Sequence, residues 1–563
     1  MTRRPLRPAL MLAPLLFLIL SSPAKAQDVE RSELPPLPGA APPSLGEGRP
    51  SPPPAPGFPA PPGLAPQASA PEAATSPLPY DLWRGVDAAS LERLLAAAPL
   101  PSPSPTLATL IARALAAGDQ VSGQDLALRV AALERAGRVV EAAELLARAA
   151  ATNEPRVLGR YALALLALGR EDDACEVHIG EALGGSPRDG SGREALLVAV
   201  YCAAAKGDLP GARLALQLAR DGGAEVGVAA AMIGRLSKSS AQAPPLPKEV
   251  GVLDYLFLNL GDKRPTADLA AKAEPELLYF LAHNEGAPAE LRVASAERAA
   301  SLNIIAGQDL ARAYREAARA LPKTAQSAPA LRARLFAAFE SAPSVKIRGE
   351  SIAALLASAR DQGTEVPIAE ALAEASAGLV EDRDAATFAE TGVRVAALAN
   401  DEASAWAWVD AGGERMRSWQ LLLAASDPQG PRAEAALGEG VEIALKGGLS
   451  PPLLHRLVTV LDALDYEVPI PLWDEASKTP QPSDGDLPET GALTSLKQAA
   501  DAGEVGRTVL IAAAVLGPKG AKGAHLIALG DALRALKRVG LDAEARRLGF
   551  EALYAHWPSR GKA

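Results

Sequence analysis

Aromatic residues make up only 4% of this 563-residue chain, although 48% of its residues are hydrophobic. A thick core built on large rings is therefore excluded, and the interior must be assembled from Ala, Leu and Val, which lets helices approach closely. Val and Ile are sparse and no sustained two-residue alternation runs along the chain, which excludes a substantial sheet. Five histidines, at 178, 283, 455, 525 and 556, never fall within ten residues of one another. No Cys-x-x-Cys, His-Glu-x-x-His or Gly-x-Ser-x-Gly pattern occurs, so the local signatures of zinc sites and serine hydrolases are missing. The expectation is a chain with no catalytic, cofactor or metal site. No stretch beyond residue 26 reaches the length of a membrane-spanning helix. The net charge of −10 disfavours nucleic acid and anionic membrane surfaces as partners.

What is present begins with a targeting pattern. Arg3, Arg4 and Arg7 precede an apolar run from Leu10 to Leu20, and Ala24-Lys25-Ala26 offers small residues around a cleavage point before Gln27. Residues 1–26 therefore read as a signal peptide, placing the mature chain in a periplasm or outside the cell. Its removal takes the charge to −14. Residues 27–80 follow as a Pro-rich linker, with 17 prolines between Pro35 and Pro79. So little apolar surface cannot offset the entropy of ordering the backbone, and the linker is expected to be disordered and extended, at roughly 3.1 Å per residue. It serves either as a spacer or as a ligand for a proline-binding groove, or has no specific partner.

The body carries a repeated skeleton of four residues. It occurs as Leu126-Leu133-Gly137-Ala142, Leu158-Leu165-Gly169-Ala174, Leu196-Ala203-Gly207-Ala212 and Leu529-Leu536-Gly540-Ala545, with Gly 11 and Ala 16 positions after the first Leu. This spacing predicts a helix, a tight turn and a second helix, a unit that buries its apolar face only by stacking on others. The fold expected is all-α, a right-handed α-solenoid of helix hairpins. Its parts are a helical array over 81–245, degenerate hairpins over 246–477, a polar linker at 478–490 and terminal hairpins over 491–563.

These hairpins resemble tetratricopeptide repeats: the first Leu of each skeleton matches that family's large apolar position, the Gly its turn, and the Ala the small residue of its second helix. Ala149, Ala219 and Ala552 fit a further small position, which Glu181 breaks in the second repeat. The match covers about a quarter of the chain. The C-terminal block, with Trp473, Gly491, Gly523-Ala524-His525 and Gly530-Asp531, also resembles exported bacterial proteins of uncharacterised role, some labelled antifreeze glycopeptide. An ice-binding face needs regularly spaced Thr, and Thr here is sparse and aperiodic. The tetratricopeptide resemblance implies a groove lined by the first helix of each pair, which by register would present Gln124, Arg135, Arg156, Arg160 and Tyr201. The Lys and Asn clamp for C-terminal carboxylates is absent, and the two arginines one turn apart would suit an acidic segment.

Two further groups stand out. Trp406, Trp408 and Trp419 are three of the six tryptophans and fall within 14 residues, as either a binding hot spot or helix-packing anchors. Cys175 and Cys202 are the only cysteines; in an oxidising compartment they read either as a disulfide stapling two adjacent hairpins or as two small buried residues. The loop Gly517-Pro518-Lys519-Gly520-Ala521-Lys522-Gly523 has the glycines and lysines of a phosphate loop. It lacks the Ser or Thr that should follow Lys522, and reads as an interhelix connection. Together the sequence points to an exported, non-catalytic scaffold that binds a protein or peptide in the cell envelope. The alternatives are a cell-wall-active enzyme assembled from distant residues, or a structural spacer.

Overall fold

Each skeleton glycine ends a helix by turning the backbone left-handed, with φ of +70° at Gly137, +74° at Gly169, +79° at Gly207 and +83° at Gly540. In the computed structural model the same two hydrogen bonds close every one of these turns. At the first, Gly137 N–H donates to Glu134 O (2.8 Å) and Arg138 N–H to Leu133 O (2.9 Å); at the last, Gly540 N–H donates to Lys537 O and Leu541 N–H to Leu536 O. This satisfies carbonyls that a helix end would otherwise leave bare, and an L side chain there would cost about 1 kcal/mol. The second-helix alanines Ala142, Ala174, Ala212 and Ala545 are all buried.

The structure describes residues 75–118, 123–150, 154–177, 192–238, 246–261, 265–485 and 487–557. The expected signal peptide, most of the expected Pro-rich linker, His178 and Glu181 lie outside them. Among the described residues the chain is helical without strands, apart from one isolated bridge between Val250 and Ala273. No helix in them is long and apolar enough to cross a membrane. Order begins earlier than the sequence suggested. Ser76, inside the expected linker, is buried; its N–H donates to Glu544 Oε1 (3.1 Å) and its carbonyl accepts from Arg113 Nη2 (2.6 Å).

Helices pair in succession along the chain, Pro155–Ala167 with Arg193–Ala205, Arg193–Ala205 with Leu209–Asp221, and Ala385–Leu398 with Glu402–Gly412. The last pair turns at Asn400, φ +60°, with Asn400 N–H donating to Ala397 O and Asp401 N–H to Ala396 O. Asn303 and Asp465 occupy the same conformation at two further helix ends. The middle of the chain thus repeats the turn with Asn or Asp in place of Gly.

The apolar packing does not follow the expected boundary at residue 245. A smaller core runs from Val139 to Leu291, straight across it. The larger core combines Leu82 to Ala164 with Leu278 to Trp557, joining the first helices to the last. Polar contacts reinforce that joint. Arg113 Nη1 lies 3.0 Å from Glu544 Oε1, and Gly506 N–H donates to Leu82 O at 2.9 Å. A Cβ on Gly506 would stand 2.7 Å from the Trp83 ring, so only glycine lets the two segments meet this closely.

Candidate functional site

The last helix, Asp542–Tyr554, carries Arg547, Phe550, Glu551 and Tyr554 at positions i, i+3, i+4 and i+7, which share one face. Arg547, Glu551 and Tyr554 are each held by a different part of the chain, and Phe550 lies between Arg547 and Tyr554. Glu551 reaches the start of helix Pro105–Ala116, where its Oε2 accepts from Ser104 Oγ and its Oε1 from Thr106 Oγ1, both at 2.6 Å, and from Thr106 N–H at 3.1 Å. A carboxylate at a helix N-terminus is favoured by the exposed N–H groups and the helix dipole. Arg547 does the converse at the end of helix Ala385–Leu398. Its Nη1 donates to Ala397 O (2.6 Å) and its Nη2 to Leu398 O, while its guanidinium stacks 4.6 Å from the Phe550 ring. Tyr554 donates its hydroxyl to Glu365 Oε1 at 2.8 Å. Burial first, and then the Glu365 charge, raise the Tyr554 pKa well above that of an ordinary phenol, so it stays a donor.

Between these anchors lies a cleft of about 460 Å³, walled by the last helix, residues 360–366, 394–398, 519–522 and the segment around Ser104. Its charged side chains are Arg360, Arg394, Lys519, Lys522 and Arg547 against Glu365 and Glu551. Both carboxylates are engaged, whereas several donors are not. Arg394 Nε stands 4.0 Å from Glu365 Oε1, beyond hydrogen-bond reach, and makes no hydrogen bond. Trp557 is 8% exposed and its indole N–H is also unpartnered. Arg360, Lys519 and Lys522 are exposed. Trp419, Phe550 and Tyr554 add an aromatic wall, with the Trp419 and Tyr554 rings 6.2 Å apart.

A second cleft of about 340 Å³ shares Lys519, Lys522 and Ala555 and adds Arg456, Asp484, Gly523 and His556. The loop 517–523 separates the two, between helices Val505–Leu516 and Leu526–Arg538. The N–H groups of Gly520 and Gly523, which a phosphate loop would leave free, are spent on its own turns, donating to Gly517 O and Gly520 O. Buried Arg456 instead donates to Ala521 O (3.3 Å) and Ala524 O (3.2 Å), fixing the loop and with it both lysines.

The residues singled out in the sequence fall largely elsewhere. Trp408 is 1% exposed and packs over Gly392, where a Cβ would lie 2.2 Å from the indole; it is a core anchor and offers no contact surface. Tyr201 is likewise buried, donating to Glu171 Oε2 (2.7 Å) with its ring edge-on to Phe257. Arg135 donates to Leu95 O (3.0 Å), and Arg160 is ion-paired with Glu134 at 3.3 Å, although its Nη1 makes no hydrogen bond. Gln124 and Arg156 are exposed. Trp406 lies under the Arg432 guanidinium at 5.0 Å. Trp419 alone of the eight lines the cleft, from a buried position. Cys175 and Cys202 are bonded, with Cα atoms 5.7 Å apart, tying helix Glu171–Glu176 to Arg193–Ala205.

Among the described residues no group of three or more His, Cys, Asp and Glu gathers as metal ligands would. Compared with protein-family models, curated proteins and solved structures, the chain finds no match.

Proposed function

We propose that this chain is a non-catalytic scaffold of tetratricopeptide-like hairpins, an α-solenoid exported to the cell envelope, which holds a protein or peptide partner in the cleft beside its last helix. The observation that carries this reading is the imbalance in the cleft. Five cationic side chains line it against two carboxylates; Arg547 and Arg394 are engaged within the fold, which leaves the exposed Arg360, Lys519 and Lys522 as the surplus, in a chain whose net charge is −10. Unused donors against an aromatic wall, in a concavity of the size that binding sites commonly have, favour recognition of an outside group. The stacked hairpins supply a rigid frame for it, and the leader supplies the address.

The test is affinity capture from envelope extracts using the full-length chain and an Arg360→Glu, Lys519→Glu, Lys522→Glu variant. These three side chains are exposed, so the fold should survive. Loss of one or more reproducibly recovered partners supports the reading; an unchanged set of partners would overturn it.

A further inference from the structure

Donors and acceptors in the cleft can be counted against one another. Glu551 accepts three hydrogen bonds from Ser104 and Thr106, and Glu365 accepts from Tyr554 while facing Arg394. Neither carboxylate has much left to offer a ligand's donors. On the other side, Arg394 Nε, ion-paired with Glu365 at 4.0 Å, and the Trp557 indole N–H are buried donors that make no hydrogen bond. A buried polar group left without a hydrogen bond is costly, and two lining one cleft point to an acceptor supplied from outside. Lys519 and Lys522 stand on a loop whose backbone is pinned by Arg456, so both start from a fixed position on the lining.

The apolar part of the lining gives the second half of the recognition. Half-buried Tyr554 and Val366 supply the accessible apolar lining beside these donors, backed by Trp419, Phe550 and Leu398 from buried positions. Hydrated inorganic ions gain nothing from such a surface, whereas a flat apolar body loses water against it.

We infer that the cleft recognises an oxyanion joined to a flat apolar group, the anion meeting Arg394, Trp557 and the two lysines while the apolar body lies against Tyr554 and Val366. This inference rests on the reading of the cleft as the binding site. The same chemistry is offered by a free aromatic acid or by an acidic residue beside an aromatic one in a partner chain.

Calorimetric titration of the full-length chain tests it with 1-naphthoate, 1-naphthyl phosphate and neutral 1-naphthol as probes. At least one anionic probe should bind with a dissociation constant of about 1 mM or tighter, and about tenfold more tightly than the naphthol. Lys519→Gln with Lys522→Gln should weaken the anion about tenfold and leave the naphthol unchanged. Trp557→Phe, which keeps an aromatic ring and removes only the N–H donor, should weaken the anion by roughly threefold. A blocked peptide, Ac-Glu-Trp-NH2, separates the sources: binding at least as tight as naphthoate assigns the site to a partner segment, and markedly weaker binding assigns it to a free acid. Equal affinity for charged and neutral probes, or no heat from any of them, would overturn the inference. Partner capture that still depends on the three exposed cations would, in that event, leave the scaffold reading standing.

Discussion

The hairpin Arg193–Ala205/Leu209–Asp221 and the hairpin Leu526–Arg538/Asp542–Tyr554 share the same skeleton and the same left-handed glycine turn, yet they are used in opposite ways. Counting from the turn glycine, the positions of Arg547 and Glu551 in the last hairpin correspond to Leu214 and Leu218 in the earlier one. Arg547 and Glu551 are tied to distant segments, whereas Leu214 is 62% exposed and Leu218 is 40% exposed. The earlier hairpin is held instead by a disulfide to its sequence neighbour. The skeleton therefore dictates how two helices pair. What the pair does is decided by residues that the skeleton leaves free.

Breaking each hairpin's own fastening should separate the two modes. Replacing Cys175 and Cys202 by Ser opens a 27-residue loop and should cost ~3.5 kcal/mol by loop-closure entropy. In hydrogen exchange, the added opening should be confined to the region around 171–221, with helix Asp542–Tyr554 unaffected. Glu551→Ala should cost about 2 kcal/mol, because it strips a helix start of its acceptor and leaves Ser104 and Thr106 unpaired. The equivalent Leu218→Ala should change stability by less than about 0.5 kcal/mol, since it removes surface that water already reaches. Denaturant titration of the pair reads the difference directly.

The smaller core has its own pH dependence. Glu276 is pushed up to about 8, first by burial and then by Glu134 and Glu274, with Arg160 opposing. The folded state thus holds a proton that the unfolded chain releases near its ordinary value of 4.5. Stability from this group is therefore greatest below that value, declines as pH rises towards about 8 and is level beyond it. Glu276→Gln should flatten the decline in the melting temperature between these limits. One effect should not differ between the hairpins. Gly207→Ala and Gly540→Ala both place a Cβ in open space at positive φ, and each should cost about 1 kcal/mol. Unequal costs would show that the turn is not a purely local device.

The helical class and the turn positions were legible because they depend on short-range rules: a small residue against a neighbouring helix, and glycine where φ is positive. Those rules also concealed part of the pattern. Asn303, Asn400 and Asp465 take the same conformation, so hairpins there lack the glycine that would have marked them. The cleft was mostly hidden because its parts come from segments far apart in the chain; Ser104 and Glu551 are separated by 447 positions. One signal was within reach. Arg547, Phe550, Glu551 and Tyr554 form a charged and aromatic stripe on the face of the last helix away from its skeleton alanine, Ala545, and a stripe of that kind asks for a partner. The tryptophans were a weaker guide. An aromatic-poor core uses its few large rings as packing anchors, as Trp408 does over Gly392.

The central claim is that the last hairpin closes against the first helices, and a double-mutant cycle between Arg113 and Glu544 tests it most directly. The two meet at 3.0 Å, with Glu544 buried, although 431 positions separate them. Comparing Arg113→Ala, Glu544→Ala and the double variant in denaturant titrations should give a coupling energy of about 1–3 kcal/mol. A coupling indistinguishable from zero would contradict a close, buried contact between the first helices and the last hairpin at this pair.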